Sequence, residues 1–554
     1  MKKVVTIWCV LILAMFSFSY AGITGFTRSG VINIPEATLN NGGVGNMISG
    51  VDLDEDGKTE IYLVNNNWND GATEVIPRIY KLEKNGVSWD VVWQAKLDPF
   101  FQNTWPVLLL TDLDNDSKKE LVWMPVNSFE VSPNPVRIAV YEQGIGDVLG
   151  VDDGAGGYKP NSTWTITTEQ SINIRPIDAE AVDIDGDGTT ELIFADRAGN
   201  SGGYYVGICS VNNIPDNGDG SETWTMEASG KDWSMTSTVE NKWDVAVLGH
   251  NAYFFSETEI SKLYWDGSSW SYDPLSPLAG GSPVQSAMAV DLNNDGTKEI
   301  ICAVYDWGND SKKGIYLLQE DADTLKPTEL VNLSAFWPSG SRGPWGGTCG
   351  DIDGDGYLDF VFGSRSATPN GLITCVSYKG GDITDPANYE LMLIDSLYSA
   401  TEATGVWSVL NIANIDDDPE AEVLYTSSTS YAPDVFTAEG SAPIVILDAT
   451  VTGIVDNTTK VLDNYKLHQN YPNPFNATTN IVFDVPNEKV VTLTIYDLLG
   501  KEVVMLVDRK LSVGTYTVTW NGLDRNGCPM STGVYLYAVK SGNVTKVRRM
   551  TLVK

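Results

Sequence analysis

A short acidic segment recurs six times along this 554-residue chain and constrains its fold more than any other feature. Each copy has Asp or Asn at position 1, further Asp or Asn at positions 3 and 5, and Glu or Asp at position 9. The copies begin at residues 52, 112, 183, 291, 351 and 414, so successive starts differ by 60, 71, 108, 60 and 63 residues. Apolar runs typical of β-strands precede and follow each copy. The repeated unit is therefore a strand, an acidic loop and a second strand.

The interval of 108 residues contains a seventh unit that has lost its acids. Residues 243–256, WDVAVLGHNAYFFS, form two apolar runs around a loop in which Gly249 stands where the first Asp would be. Most units continue into a second predicted hairpin, such as KLYWDGSSWSY at residues 262–272. Four strands in each of seven units predict an all-β fold, a seven-bladed β-propeller over residues 22–450. We number the loops 1 to 7 in chain order, and loop 4 is the degenerate one.

The six acidic loops have the ligand chemistry of calcium sites. Side chains at positions 1, 3 and 5 of a tight loop direct oxygen atoms at one point, and an acid at position 9 completes a shell that suits Ca²⁺. The alternative is an acidic turn that uses Asp only for its own backbone hydrogen bonds. We predict several structural Ca²⁺ ions, with these ligands: Asp52, Asp54, Asp56 and Glu60 in loop 1; Asp112, Asp114, Asp116 and Glu120 in loop 2; Asp183, Asp185, Asp187 and Glu191 in loop 3; Asp291, Asn293, Asp295 and Glu299 in loop 5; Asp351, Asp353, Asp355 and Asp359 in loop 6; and Asn414, Asp416, Asp418 and Glu422 in loop 7.

Three loops depart from the pattern. Position 6 is glycine in four of the six loops, where it allows a sharp turn, whereas Ser117 occupies it in loop 2. Asn293 replaces an aspartate in loop 5. Loop 7 begins with Asn414 and carries Pro419 at position 6. Because proline cannot adopt a positive φ, loop 7 fits the calcium pattern least well.

The repeats resemble the FG-GAP/VCBS repeats of bacterial surface proteins and of integrin α-chain propellers, over roughly residues 22–450. The resemblance implies a propeller with calcium loops in its hairpins. The Gly-Ala-Pro half of the integrin version is missing here, so integrin-like ligand recognition is not implied.

Charge and the N-terminal residues indicate an exported protein with two different regions. The net charge of −37 argues against nucleic acid or an anionic membrane as a partner. Residues 464–554 carry 11 Lys and Arg against 6 Asp and Glu, which gives +5 and leaves −37 − 5 = −42 for the rest. Two lysines, an apolar run and small residues before position 22 predict a signal peptide over residues 1–21, with no transmembrane segment in the mature chain.

A polar linker over residues 451–466 precedes a second predicted all-β domain, residues 467–554. Alternating strands separated by turn residues predict a small β-sandwich. The segments YPNPFN, IYDLLGKEV, WNGLDRNG and GVYLY, with a basic last strand that contains Lys546, Arg548 and Arg549, resemble the type A C-terminal sorting domain of type IX secretion. The resemblance implies that the type IX secretion machinery is a partner and that the protein is secreted or attached to the outer cell surface. An ordinary accessory sandwich is the alternative.

Strand parity predicts that the calcium loops share one face of the propeller with the acidic inserts at residues 148–160 and 214–222, and that aromatic residues gather on the other. Exposed aromatic rings stack on sugars or on peptide side chains, whereas packing between blades is the alternative. The predicted ligand-binding residues are Trp68, Trp105, Trp307, Trp345 and Trp407.

No catalytic residues are predicted. The mature chain contains only two histidines, and it contains no GxSxG, HExxH or phosphate-loop motif. The sequence therefore favours a secreted or surface propeller that binds an extracellular glycan or protein. A propeller polysaccharide lyase, or another carbohydrate-active enzyme, and a structural surface-layer component are the alternatives.

Overall fold

The chain forms two compact units, Met1–Thr452 and Gly453–Lys554, and both are built from β-strands. The only helices in the described part of the chain are two short 3₁₀ helices, Gly230–Trp233 and Pro386–Asn388. The computed structural model describes residues 26–32, 44–65, 78–86, 88–97, 106–126, 135–169, 172–197, 201–235, 242–256, 259–276, 278, 284–304, 313–322, 324–333, 344–353, 356–364, 370–398, 410–416, 420–426, 444–449, 467, 470, 473, 475–476, 478–485, 489–498, 501–511, 514–525, 529–541 and 544–553.

The all-β prediction is confirmed, and the first unit contains seven four-stranded antiparallel sheets. Each acidic loop joins the first strand of its sheet to the second, because an apolar run lies on either side of it. The strands are, in sheet 1, β2 (Val44–Val51), β3 (Glu60–Asn65), β4 (Arg78–Asn85) and β5 (Ser88–Lys96); in sheet 2, β6 (Val107–Thr111), β7 (Glu120–Met124), β8 (Ile138–Glu142) and β11 (Ser162–Trp164); in sheet 3, β12 (Pro176–Val182), β13 (Glu191–Asp196), β14 (Val206–Val211) and β15 (Trp224–Ser229); in sheet 4, β16 (Asp244–Leu248), β17 (Asn251–Phe255), β18 (Ile260–Trp265) and β19 (Trp270–Leu275); in sheet 5, β20 (Val284–Val290), β21 (Glu299–Val304), β22 (Gly314–Asp321) and β23 (Thr324–Asn332); in sheet 6, β24 (Pro344–Gly350), β25 (Asp359–Ser364), β26 (Asn370–Tyr378) and β27 (Tyr389–Tyr398); and in sheet 7, β28 (Leu410–Ala413), β29 (Glu422–Tyr425), β30 (Ile444–Ala449) and β1 (Phe26–Ile32). A small hairpin of β9 (Val151–Asp152) and β10 (Tyr158–Lys159) lies between β8 and β11.

Sheet 7 takes its fourth strand from the other end of the unit. Strand β1 pairs antiparallel with β30, from Phe26 opposite Ala449 to Ile32 opposite Ile444. The guanidinium of Arg28 makes a two-pronged contact with Asp395 on β27 of sheet 6, at 2.7 and 2.8 Å. The beginning of the unit is therefore held by its last two sheets.

Consecutive sheets pack face to face through apolar cores. The first strand of each sheet contacts the first strand of the next, and β28 of sheet 7 contacts β2 of sheet 1. A buried apolar cluster fills each of the seven junctions. At the junction of sheets 7 and 1, Leu424 and Ile444 pack with Met47, Ile61 and Leu63.

Carboxylates connect the first strands of neighbouring sheets. Asp178 on β12 accepts a hydrogen bond from the Val245 N–H on β16, and Asp244 on β16 accepts one from the Ala287 N–H on β20, each at 3.0 Å. Burial raises the pKa of both carboxyl groups. Each carboxylate thus accepts a hydrogen bond from a backbone N–H on the edge strand of the next sheet, a group that no neighbouring strand pairs with.

Cysteine side chains in the first unit lie inside the sheets. No disulfide joins the four described cysteines, Cys209, Cys302, Cys349 and Cys375, and all but Cys349 are fully buried. Burial raises the pKa of each of these thiols. They act as small apolar residues in the folded unit.

The second unit contains a four-stranded sheet and a separate strand pair around one core. The sheet order is β33 (Glu502–Leu511), β32 (Lys489–Tyr496), β35 (Gly533–Ser541) and β36 (Val544–Leu552), and the pair is β31 (Thr479–Val485) with β34 (Gly514–Trp520). Trp520 is fully buried in the core between them, with Phe483, Leu493 and Tyr537. Across the described residues of both units, no helix has the length and apolarity needed to cross a bilayer.

Candidate metal centres

The acidic loops share one backbone conformation. At position 6, the five described loops have φ values from 76° to 93°, a region that favours glycine. Ser117 adopts the same conformation, with φ 76°, so loop 2 keeps the turn despite its Cβ. The N–H at this position donates to the first aspartate of loops 1, 3, 5 and 6 at 2.8 to 3.1 Å.

The side chains of three loops bring carboxylate oxygens together. In loop 2, the four predicted ligands Asp112, Asp114, Asp116 and Glu120 offer oxygens that lie within 4.8 Å of one another. The acids at positions 1, 3 and 5 of loops 1 and 3 form corresponding groups of three. The structure therefore brings together all four predicted ligands in loop 2 and three of the four in loops 1 and 3, and Glu60 of loop 1 is grouped with Asp54 and Asp147 instead.

The acid at position 9 closes each loop at its base. It is buried in all six loops, with 0 to 4% of its surface exposed. One of its oxygens accepts the backbone N–H of position 2, a bond that the repeat pattern did not predict. The six pairs are Glu60 with Leu53, Glu120 with Leu113, Glu191 with Ile184, Glu299 with Leu292, Asp359 with Ile352, and Glu422 with Ile415, at 2.6 to 3.5 Å.

The second oxygen of this acid is left without a partner in loops 2 and 3. Oε1 of Glu120 and Oε1 of Glu191 are buried and have no hydrogen-bond partner among the described residues, and Oδ1 of Asp112 is in the same state. Burial, with further repulsion from nearby acidic side chains, raises the pKa of Glu120 and of Glu191 to about 8. Because a buried, unpartnered carboxylate oxygen is costly, these loops fit a cation that would complete the coordination.

Loop 5 is described in full, whereas loops 6 and 7 are described in part. Loop 5 has Asp291, Asn293, Asp295 and Glu299 in place, and the Asp295 N–H donates to both Asp291 and Asn293 at 3.0 Å. Two of the predicted ligands, Asp355 of loop 6 and Asp418 of loop 7, lie outside the described residues, whereas Asp351, Asp353, Asp359, Asn414, Asp416 and Glu422 lie within them.

Four loops are also bonded to the next sheet, a feature that the repeat pattern does not reveal. The carbonyl oxygen at position 2 is the acceptor in four junctions: Leu53 from the Gln143 side chain, Ile184 from Nδ1 of His250, Ile352 from the Ala421 N–H, and Ile415 from Nζ of Lys84. The last of these bonds joins sheet 7 to sheet 1. His250, the histidine of the degenerate loop 4, therefore has a structural contact with loop 3.

The acidic inserts contact the preceding sheet, and the second insert contacts acidic loop 2. The Ile214 N–H donates to Asp114 of loop 2 at 2.6 Å. Nζ of Lys118, also in loop 2, lies 2.5 Å from Asp216. The insert that contains Leu149 accepts a hydrogen bond from the Trp93 indole of sheet 1 at 2.9 Å. These inserts act as straps between sheets.

Four of the predicted ligand-binding residues, Trp68, Trp105, Trp307 and Trp407, lie outside the described residues. Trp345 lies on β24, the first strand of sheet 6. The structure therefore does not test the predicted aromatic face.

Two protein families match parts of the chain. Residues 291–362, which run from loop 5 into β25, match the FG-GAP-like repeat family, and residues 473–544 match the FlgD Ig-like domain family. No curated protein gives a significant sequence match.

Several solved structures align over most of the chain, with low similarity. PorZ, a surface component of the type IX secretion system of Porphyromonas gingivalis, is 10% identical with a TM-score of 0.23 and coverage of 92% of this chain and 81% of its own. Drosophila Semaphorin 2a is 9% identical, with a TM-score of 0.40 and coverage of 94% and 97%. The intramolecular trans-sialidase of Ruminococcus gnavus is 12% identical, with a TM-score of 0.33 and coverage of 77% and 98%. These identities and TM-scores are too low to carry a conclusion. The family match over residues 291–362 shows that the all-β first unit contains an FG-GAP-like repeat segment.

Proposed function

We propose that the first unit is a closed, seven-bladed β-propeller that is stabilised by Ca²⁺ and binds an extracellular glycan or protein. Closure is supported by the contact of β28 with β2, by the apolar core between sheets 7 and 1, and by the bond from Lys84 to the Ile415 carbonyl. The pairing of β1 with β30 adds a strand from the beginning of the unit to its last sheet. Joining the first and last blades in this way leaves no open edge between them.

The observation that carries the calcium proposal is the buried, unpartnered oxygen of Glu120 and of Glu191. Asp112, Asp114, Asp116 and Glu120 would hold the ion in loop 2, and Asp183, Asp185, Asp187 and Glu191 would hold it in loop 3. Bound Ca²⁺ supplies positive charge to carboxylates that otherwise repel one another. Its role is structural, because the same acids also fix the loop backbone that joins two strands.

The face opposite the loops is the better candidate for ligand binding. The loop face is occupied by the straps that bond loop 2 and by the carbonyl bonds between sheets. At the opposite strand ends, Arg137 is almost fully buried near Arg175 and Asp196, and burial lowers the pKa of Arg137 to about 10, with Asp196 opposing this shift and Arg175 adding to it. The loop end is strongly acidic and would repel acidic sugars, which favours the opposite end for such ligands.

A polysaccharide panel that includes neutral and acidic glycans tests this function. We expect the calcium-loaded unit to be retained on at least one member and to leave that polysaccharide intact. New unsaturated or reducing ends would instead identify a lyase or another carbohydrate-active enzyme. If the unit binds no glycan and no extracellular protein, the binding proposal is contradicted and a surface-layer role remains.

Replacing a tryptophan of the aromatic face should weaken that binding without unfolding the unit. For Trp105→Ala or Trp407→Ala we expect a loss of about 1–3 kcal/mol of binding free energy, as for aromatic anchors at interfaces. Binding titrations and melting curves measure the two effects. A large fall in melting temperature would show that the side chain packs between blades. Binding that survives these changes, but is lost when residues 148–160 or 214–222 are altered, would place the ligand on the loop face.

The second unit is proposed to be a sorting domain for type IX secretion. The proposal is supported by the motifs of residues 471–554 and by their folding into a compact unit of their own. Deleting the chain from Tyr471 onward should leave the propeller folded but retained in the periplasm, because the signal for crossing the outer membrane is gone. Immunodetection in periplasmic and extracellular fractions measures this. Normal extracellular levels of the truncated protein would contradict the assignment.

A further inference from the structure

Loop 1 differs from the other acidic loops by a buried lysine. Lys81 on β4 lies opposite Tyr62 on β3, and Tyr62 is two residues beyond the position-9 acid, Glu60. Only 1% of the lysine surface is exposed. In the other acidic-loop sheets the residue at the same register is apolar: Val140, Ile208, Leu317, Cys375 and Ile446.

The ammonium group of Lys81 lies among the carboxylates of loop 1. Its Nζ is 2.5 Å from Oε1 of Glu60 and 3.4 Å from Asp54, both of which are predicted metal ligands. A third carboxylate, Asp147 of the sheet 2 insert, lies 2.8 Å away. The contact with Glu60 is an ion pair without hydrogen-bond geometry.

Glu60 therefore has partners for both of its oxygens. Oε1 faces the ammonium of Lys81, and Oε2 accepts the Leu53 N–H at 3.0 Å and the Tyr62 hydroxyl at 2.7 Å. The corresponding acids of loops 2 and 3, Glu120 and Glu191, each keep one buried oxygen without a partner among the described residues. In loop 1 a buried ammonium therefore faces the position-9 acid, whereas the lysine that contacts loop 2, Lys118 at 3.1 Å from Asp116, has a side chain that is 37% exposed.

We propose that the Lys81 ammonium is a built-in cation that takes the place of Ca²⁺ in loop 1. An ion bound there would lie next to a buried positive charge and would compete with it for Glu60 and Asp54. Loop 1 therefore stays free of calcium at concentrations that fill loops 2 and 3. Because Asp147 belongs to sheet 2, the same ammonium also joins sheets 1 and 2 without a metal. This inference rests on the proposed calcium binding of the other loops.

Counting the ions bound to the full-length secreted protein tests the inference. Native mass spectrometry and equilibrium dialysis with Ca²⁺ would be applied to the wild type, to Lys81→Met, and to Lys231→Met as a matched control that removes an exposed lysine paired with Glu169. We expect Lys81→Met to bind one ion more than the wild type, with an affinity for the new site raised by about 100-fold or more, because the loop regains its full negative charge. The control should bind the same number as the wild type.

A second pair of variants retains Lys81 and does not depend on whether Lys81→Met folds. Asp112→Asn in loop 2 should remove one ion from the count, whereas Asp52→Asn at the same position of loop 1 should remove none. Loss of one ion from each variant would overturn the inference and leave the calcium proposal standing. A wild type that binds no calcium at all would overturn the calcium proposal instead.

Discussion

Removing calcium with EDTA should lower the melting temperature of the first unit by about 10 °C or more. An ion that binds only the folded state at 100 times its Kd adds about 2.7 kcal/mol per site, so loops 2 and 3 alone contribute about 5 kcal/mol. For a unit of this size, about 2 °C per kcal/mol is the expected scale. Calorimetry in EDTA and in millimolar Ca²⁺ measures the difference. Coincident melting curves would contradict the calcium proposal.

The melting temperature of the calcium-free unit should also depend on pH, in a direction determined by the buried acids. Burial raises the pKa of Glu120 and Glu191 to about 8 in the metal-free fold, whereas an unfolded Glu has a value near 4.5. When the pKa of a group is higher in the folded than in the unfolded state, its contribution to the stability of the fold is complete below the unfolded pKa. That contribution is lost as the pH rises through the folded pKa. We therefore expect the melting temperature in EDTA to fall between pH 5 and pH 8.5. In Ca²⁺ the fall should be smaller, and Glu120→Gln should reduce it in EDTA.

Deleting the N-terminal strand should destabilise the first unit strongly. Without β1, the chain loses the ladder with β30, the buried side chain of Ile32 and the contact of Arg28 with Asp395. With about 1 kcal/mol for each ladder hydrogen bond and about 2 kcal/mol for the burial of Ile32, the loss is on the order of 5 kcal/mol. Chemical unfolding of a protein that begins after residue 33 measures it.

A peptide and a shorter deletion provide the controls for this experiment. A synthetic peptide of residues 24–34 should restore much of the lost stability, because it can pair with the exposed edge of β30. A protein that begins at residue 25 keeps β1 and should unfold like the full unit. If the protein without β1 unfolds at the same denaturant concentration as the full unit, β1 does not stabilise the fold.

The sequence predicted the local hairpins because their signal is local. The acids at positions 1, 3, 5 and 9 and the apolar runs beside them are all within about ten residues, and the structure places a strand on each side of every acidic loop. Even loop 4, in which Gly249 takes the place of the first Asp and the acids are absent, joins β16 to β17 as expected. Ser117 also shows that the turn persists without glycine, since its φ of 76° is that of its glycine counterparts.

Contacts between distant segments could not be predicted in this way. Strand β1 has the sequence FTRSGVI, without an acidic loop or a hairpin partner nearby, and its pairing with β30 spans more than 400 residues. Lys81 looks like an ordinary polar residue of an alternating strand until the register places it beside Glu60. Likewise, the bond of Ile214 to Asp114 depends on how two sheets pack, and one strand pattern contains no such information.

The buried thiols of the first unit make its unfolding a one-way event in an oxidising medium. Inside the sheets, Cys209, Cys302 and Cys375 are inert, because burial suppresses the thiolate that reacts. In an opened chain each returns to an ordinary thiol, which is oxidised or cross-linked on exposure. In such a medium the lifetime of the protein is limited by how often the fold opens, and each contact that slows opening lengthens that lifetime.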